Sequence, residues 1–97
     1  MLNVTRIGVL REVARHGSFS SAAESLGYTQ PAVSRQVATL EAETGAVLVT
    51  RAANGARLTD AGEVLVRHAD VIFAALDDAE NELRAVMGLQ AGDRRRG

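Results

Sequence analysis

The segment from Ser18 to Arg51, SFSSAAESLGYTQPAVSRQVATLEAETGAVLVTR, constrains the fold of this chain most strongly. A small residue at Ala23 lets two helices approach closely, and Gly27 permits a left-handed backbone between them. Val33 then packs the second helix back against the first. The Ala and Gly spacing is weak alone because both residues are common, but the flanking helix signals agree with it. The segment therefore predicts two short helices joined by a tight turn.

Helix boundaries around this turn follow from capping residues and glycines. A first helix is expected from about Val4 to Arg15, where apolar residues recur at three- and four-residue spacings, and Gly17 ends it. Ser18 or Ser20 can cap the next helix, which ends at Gly27.

The third helix presents one apolar and one polar face. Thr29 is a good N-cap, Pro31 fits the first turn, and Gly45 is the expected end. At 100° per residue, Val33, Val37 and Leu40 share one face. The positions that remain available to an external partner are Gln30, Pro31, Ser34, Arg35 and Ala38.

A small hairpin is expected after the third helix. Val47–Thr50 and Arg57–Leu58 are short β-type runs, and Asn54-Gly55 between them can take the positive φ angles of a tight turn. This hairpin is interpreted as a wing. Thr59 then caps a long helix that has acids in its first turn, where they complement the helix dipole.

The long helix carries two interleaved heptad series, which favour pairing with another helix along its length. An alternative is that the helix folds back on its own domain. The series contain Leu65, Ala69, Ile72, Leu76, Ala79, Leu83 and Val86. The expected fold is mainly α: a winged helix-turn-helix over 1–58, a linker or dimerisation helix over 59–89, and a flexible tail over 90–97.

Composition fits one small domain and excludes several classes of protein. The 97 residues include two phenylalanines, one tyrosine and no tryptophan, so the core is thin and a second copy of the chain is expected to add burial. There is no cysteine, so no disulfide or thiolate metal site can form. The longest apolar run, Val71–Leu76, is far too short to span a membrane, and no signal peptide is apparent. A cytoplasmic protein is expected.

Charge is unevenly distributed along the chain. The net charge is −1, but residues 1–58 hold six Arg and four acids, whereas residues 59–97 hold five Arg and eight acids. The basic part contains the third helix, whose Arg35 suits a guanine or phosphate and whose Gln30 suits an adenine or phosphate. These features predict a DNA-binding module. Two alternatives stay open: a plain helical bundle with a solvated polar face, and a protein-interaction module that uses the long helix.

Catalytic and cofactor sites are not expected. His16 and His68 have no second ligand at a metal-binding spacing, and the serines lack a G-x-S-x-G context. No glycine-rich phosphate loop is present. The sequence thus predicts a protein that is not an enzyme and needs no metal or cofactor.

The blocks GSFSSAAESLGYTQPAVSRQVATLEAETG and RLTDAG, in this order, closely resemble the N-terminal DNA-binding region of LysR-type transcriptional regulators, a large bacterial family. The resemblance implies a winged helix-turn-helix, a linker helix that pairs antiparallel with its partner's, and binding to imperfectly palindromic promoter DNA with a T…A interrupted dyad. By position it implies DNA-facing roles for Gln30, Pro31, Ser34 and Arg35, with Ser20 and Thr29 near phosphates, and Arg51 and Arg57 in the wing.

Two departures concern the wing. Family members commonly have Phe where Val49 stands and basic residues where Asn54 and Gly55 stand, so a weaker contact of the wing tip with the minor groove is expected.

Family members also carry a two-lobed effector-binding domain after the linker helix. No such domain lies within these residues, so no small-molecule effector site is expected here. The chain is interpreted either as a DNA-binding fragment or as a short relative.

Overall fold

Four helices and a two-stranded hairpin make up the structure, a computed structural model that describes the backbone of residues 2–96 and the side chains of residues 2–88. In chain order the elements are α1 (Val4–His16), α2 (Phe19–Leu26), α3 (Gln30–Thr44), β1 (Val49–Ala52), β2 (Gly55–Leu58) and α4 (Asp60–Arg96). This order confirms the predicted mainly helical winged fold.

The helix ends lie at the residues that the capping signals predict. Ser18 accepts a hydrogen bond from the backbone amide of Ser21 at 3.0 Å, so Ser18, and not Ser20, is the cap of α2. Thr29 caps α3 in the same way, with the amide of Ala32 at 3.2 Å. Gly27 follows α2 with a φ of 71°, a conformation that costs glycine little. The tight turn between α2 and α3 is therefore formed as predicted.

The core lies between the first three helices. Val33, Val37 and Leu40 of α3 are at most 2% exposed, which confirms the predicted buried face. They belong to one cluster with Leu10 and Val13 of α1, each 0% exposed. This packing fixes the rotation of α3 about its axis, because turning the helix would expose its apolar side chains to water.

The wing forms, but its strands are shifted from the predicted positions. The first strand was expected over Val47–Thr50 and is found over Val49–Ala52. The backbone at 47–48 instead joins the start of α4. The hydroxyl of Thr59 donates to the carbonyl of Val47 at 2.6 Å, and the amide of Thr59 donates to the carbonyl of Leu48 at 3.0 Å.

The turn of the hairpin also differs from the prediction. Ala52 pairs with Gly55, so Ala53 and Asn54 form the turn and Gly55 begins β2. No non-glycine residue in the described part of the chain has a positive φ, so Asn54 does not adopt the left-handed conformation expected for an Asn-Gly turn. Gly55 has a φ of 138° and lies against the carbonyl of Gly17, which accepts a hydrogen bond from the amide of Ala56 at 2.8 Å. The glycine thus serves the docking of the wing on α1.

The long helix α4 corrects two expectations. Its helical backbone continues to Arg96, past the expected end at residue 89 and through most of the expected tail, because Gly88 and Gly92 weaken a helix by about 1 kcal/mol each without removing a backbone donor. Ala69, expected at a partner interface, is 0% exposed and lies in the core of its own domain. The side of α4 that packs on its own domain and the heptad stripe therefore overlap at Ala69.

Candidate nucleic-acid interface

The outer face of α3 holds most of the predicted DNA-facing residues together. Gln30, Pro31, Arg35 and Ala38 are exposed, and Ser34 is half-buried beside them. Pro31, Arg35 and Ala38 lie opposite the buried Val33, Val37 and Leu40, and Gln30 and Ser34 lie on the flank of this face, as the 100° rotation per residue requires. A convex helix with polar groups on its outer side has the shape that enters a major groove.

Arg35 lies at the outermost part of this face. Within residues 2–88 its guanidinium forms no ion pair and no hydrogen bond, and its carbonyl accepts from the hydroxyl of Thr39 at 2.9 Å. All five guanidinium N–H donors remain available to an external acceptor. Arg35 is therefore the residue of this face best placed for bidentate contact with guanine or phosphate.

The N-terminal flank of α3 is tied to α2 and the wing by side-chain contacts. Ser20 donates to Oε1 of Gln30 at 3.1 Å. Arg51 donates from Nη2 to the hydroxyl of Ser34, and its guanidinium lies over the ring of Phe19, 3.8 Å from the centroid. These contacts join three elements, so the predicted residues Ser20 and Arg51 also position α3 and do not only face outward.

The two wing arginines lie on opposite faces of the hairpin. Arg57 pairs across the strands with Thr50, whereas Arg51 pairs with Ala56. Neighbouring residues along a strand alternate between its faces, so Arg51 is turned toward α2 and α3 while Arg57 lies on the other side. The two wing arginines therefore cannot face the same surface, and their predicted contacts with DNA stay a prediction.

Sequence reasoning missed Glu41 as a structural link between α3 and the wing. Its Oε2 accepts from the backbone amides of Leu48, at 2.8 Å, and Val49, at 3.4 Å. These amides lie immediately before and at the start of β1. In the sequence, an acid near a helix end looks like an ordinary solvated residue. Glu41 has this role only because the folded chain brings residues 48 and 49 next to α3.

A second notable surface is apolar. A cleft of about 390 Å³ opens between the start of α1, the end of α3 and α4. Leu2, Val4, Val64, Leu65 and Ile72 are among its lining residues. It adjoins the heptad stripe, whose members Leu76, Leu83 and Val86 are 47%, 61% and 53% exposed.

Within the described residues, no three His, Cys, Asp or Glu side chains are grouped so that they could hold a metal ion. In the same part of the chain, no helix is long and apolar enough to cross a membrane.

Residues 4–63 match the model of bacterial regulatory helix-turn-helix proteins of the lysR family. The match covers more than half of the chain, and the chain belongs to this family. A similar curated relative is the HTH-type transcriptional regulator CbbR of Rhodospirillum rubrum, which is 41% identical over 90 residues. That alignment covers 93% of this chain and 30% of CbbR, so the chain spans about a third of the length of the relatives it matches.

Solved structures of the family share this fold. The DNA-binding domain of CbnR, crystallised in complex with DNA, superposes with a TM-score of 0.79 at 30% identity, covering 88% of this chain and 98% of that one. Full-length LysG from Corynebacterium glutamicum gives a TM-score of 0.84 at 32% identity, covering 90% of this chain and 30% of LysG. The winged helix-turn-helix and its long C-terminal helix thus match the DNA-binding domains of LysR-type regulators.

Proposed function

We propose that this chain is the DNA-binding part of a bacterial, cytoplasmic LysR-type transcriptional regulator and binds double-stranded promoter DNA sequence-specifically. The observation that carries the proposal is the outer face of α3, where Gln30, Pro31 and Arg35 are exposed above a fully buried apolar face. The similar CbnR domain was crystallised with DNA, which supports DNA binding by this chain. No chemistry or cofactor is needed for this activity.

In this proposal α3 enters the major groove, and its polar residues contact different groups of the DNA. Arg35 addresses a guanine edge or a phosphate, and Gln30 addresses an adenine edge or a phosphate. Ser20 and Thr29, at the N-terminal flank of α3, lie where a phosphate would pass, although each already makes an internal hydrogen bond. Arg57 offers a charge on the outer face of the wing.

The proposal includes a homodimer formed through α4. Beyond Phe73 the described side chains of α4 are exposed, and the stripe of Leu76, Ala79 and Leu83 continues there without a partner among residues 2–88. The adjoining cleft supplies further apolar surface. A second copy, related by a two-fold axis, buries the stripe and the cleft. The same axis places two α3 helices at the two halves of an imperfect palindrome.

A salt titration tests DNA binding. Affinity for a promoter duplex and for a random duplex is measured for the wild type and for Arg35→Ala, with Arg15→Ala as a control of equal charge. Steep loss of affinity with salt supports phosphate contact. We expect Arg35→Ala to cost on the order of 1–3 kcal/mol and Arg15→Ala to cost little. Absence of duplex binding by the wild type, or salt-independent association of the chain with another protein only, overturns the proposal and favours the protein-interaction alternative.

A further inference from the structure

The exposed face of α3 has a second flank, away from α2 and the wing. A helix in the major groove lies between the phosphate backbones of both strands. One flank of α3 carries Gln30 and Ser34 and is bordered by α2 and the wing. The other flank carries Gln36, Thr39 and Glu43, and is bordered by the start of α1.

A cleft of about 220 Å³ lies on this second flank. It is lined by Arg6, Ala32, Arg35, Gln36 and Thr39. Two guanidinium groups and one amide thus surround a small open space, and Arg35 joins that space to the proposed DNA face. The hydroxyl of Thr39 donates to the carbonyl of Arg35 at 2.9 Å, so Arg6, Arg35 and Gln36 supply the available donors.

Arg6 is held in the cleft with unused hydrogen-bonding capacity. Its Nε lies 3.5 Å from Oε1 of Glu43, and within the described residues this buried Nε has no hydrogen-bond partner. The side chains of Arg6 and Glu43 are 24% and 30% exposed. The Nη groups of Arg6 form no hydrogen bond within residues 2–88, and they, not the buried Nε, are the donors available to an oxyanion. Charge-assisted hydrogen bonds to phosphate are about twice as strong as neutral ones.

We propose that Arg6, with Gln36 beside it, binds a backbone phosphate of the DNA strand that passes on the α1 side of the groove. The inference rests on the proposed function and extends the interface to α1, outside the helix-turn-helix. Arg35 faces the major groove, and Arg6 faces the phosphate backbone at the edge of the groove. The two arginines therefore contact different parts of the duplex. Glu43 competes with the phosphate for Arg6 and is displaced from it on binding.

The test compares Arg6→Ala, Arg6→Lys and Arg15→Ala for binding to a promoter duplex and a random duplex across a range of salt concentrations. Arg15 is a matched control because it also forms an ion pair with a glutamate, Glu12, and lies near the other end of α1. Loss of one phosphate contact should lower the salt slope by about 0.9 and weaken binding on the order of tenfold at 0.1 M salt, equally for both duplexes. Arg6→Lys should keep most of the slope, because an ammonium also binds phosphate.

A second pair of variants separates phosphate contact from a purely structural role of the ion pair. Glu43→Gln removes the competing carboxylate and should tighten binding severalfold in the presence of Arg6, but clearly less in the Arg6→Ala background. Unfolding temperature, measured in parallel, identifies any loss of fold. If an Arg6→Ala protein folds and keeps the wild-type affinity and salt slope, the inference is overturned. The loss of binding by Arg35→Ala would still show that the chain binds DNA through α3. If the wild type binds no duplex, the proposed function itself is wrong.

Discussion

At the scale of single residues, Arg51 shows how one side chain joins the wing to the DNA-facing helix. Its planar guanidinium lies over the Phe19 ring while one N–H reaches the hydroxyl of Ser34. A lysine keeps the charge but lacks the plane and the fixed fork of donors. The contact therefore depends on the shape of arginine as well as on its charge.

Replacing Arg51 by Lys should weaken DNA binding, because Ser34 and the wing lose their common anchor. The cation–π contact at such a site is worth about 0.5–2 kcal/mol, and a drop of that size is expected in the free energy of unfolding. Thermal unfolding and duplex affinity, measured together, check this. Phe19→Leu removes the ring but leaves the charge, and should lose at least as much unfolding free energy, because Phe19 is also 6% exposed and part of the core. If Arg51→Lys binds as the wild type does, Arg51 acts only as a point charge.

The residues that the sequence identified correctly are those governed by local rules. Thr29 caps α3 because a hydroxyl before a helix binds a free amide. Arg35 is exposed because the helical period places it away from Val33 and Val37. The contacts of Arg51 and Glu41 depend on elements that meet only in the folded chain, so spacing could not assign them.

At the scale of elements, the wing is positioned by close backbone contact. The strand β2 begins at Gly55, which lies against the last turn of α1 and leaves no room for a Cβ. The sequence predicted a hairpin from Asn54-Gly55 but assigned the glycine to its turn. The assignment failed because the need for glycine comes from Gly17, a residue distant in sequence.

Gly55→Ala should destabilise the protein by at least about 1 kcal/mol and loosen the wing, because alanine meets both an unfavourable φ and the Gly17 carbonyl. Urea unfolding gives the change in free energy. Gly88→Ala is the matched control, since a Cβ there meets open space in a helix and should stabilise by up to about 1 kcal/mol. Equal effects at both sites would contradict the docking role of Gly55.

The exposed tip of the wing gives a separate prediction. Ala53 and Asn54 carry no charge there, although the minor groove attracts an inserted arginine. Asn54→Arg should tighten duplex binding and steepen the salt slope by up to about one unit, whereas Asn54→Ala should do little. Fluorescence anisotropy at several salt concentrations measures both. Loss of binding by a folded Asn54→Ala protein would show that Asn54 makes a specific contact.

At the scale of the whole molecule, the long helix makes the fold extended. The α carbons span 62 Å along the longest axis and only 25 Å and 18 Å along the others. The start of α4 packs on α1 through Ala69 and Phe73, and Arg11 pairs with Asp70 at 2.9 Å. The fold-back interpretation thus holds for the first turns of α4, which cover the winged domain. Pairing with a second copy stays a prediction for the later turns, which project beyond the domain.

The projecting part gives the sharpest test of the dimer, because charges placed there do not disturb the core. Leu76→Glu combined with Leu83→Glu alters side chains that are 47% and 61% exposed, whereas Ile72 lines the apolar cleft of its own domain. Sedimentation equilibrium should show a dimer for the wild type and a monomer for the double variant. Ala74→Glu, exposed on the other side of α4, should leave the dimer intact. A monomer should bind an isolated half-site nearly as well as the full palindrome, since it lacks the second α3. If the double variant stays dimeric, the two copies meet through another surface.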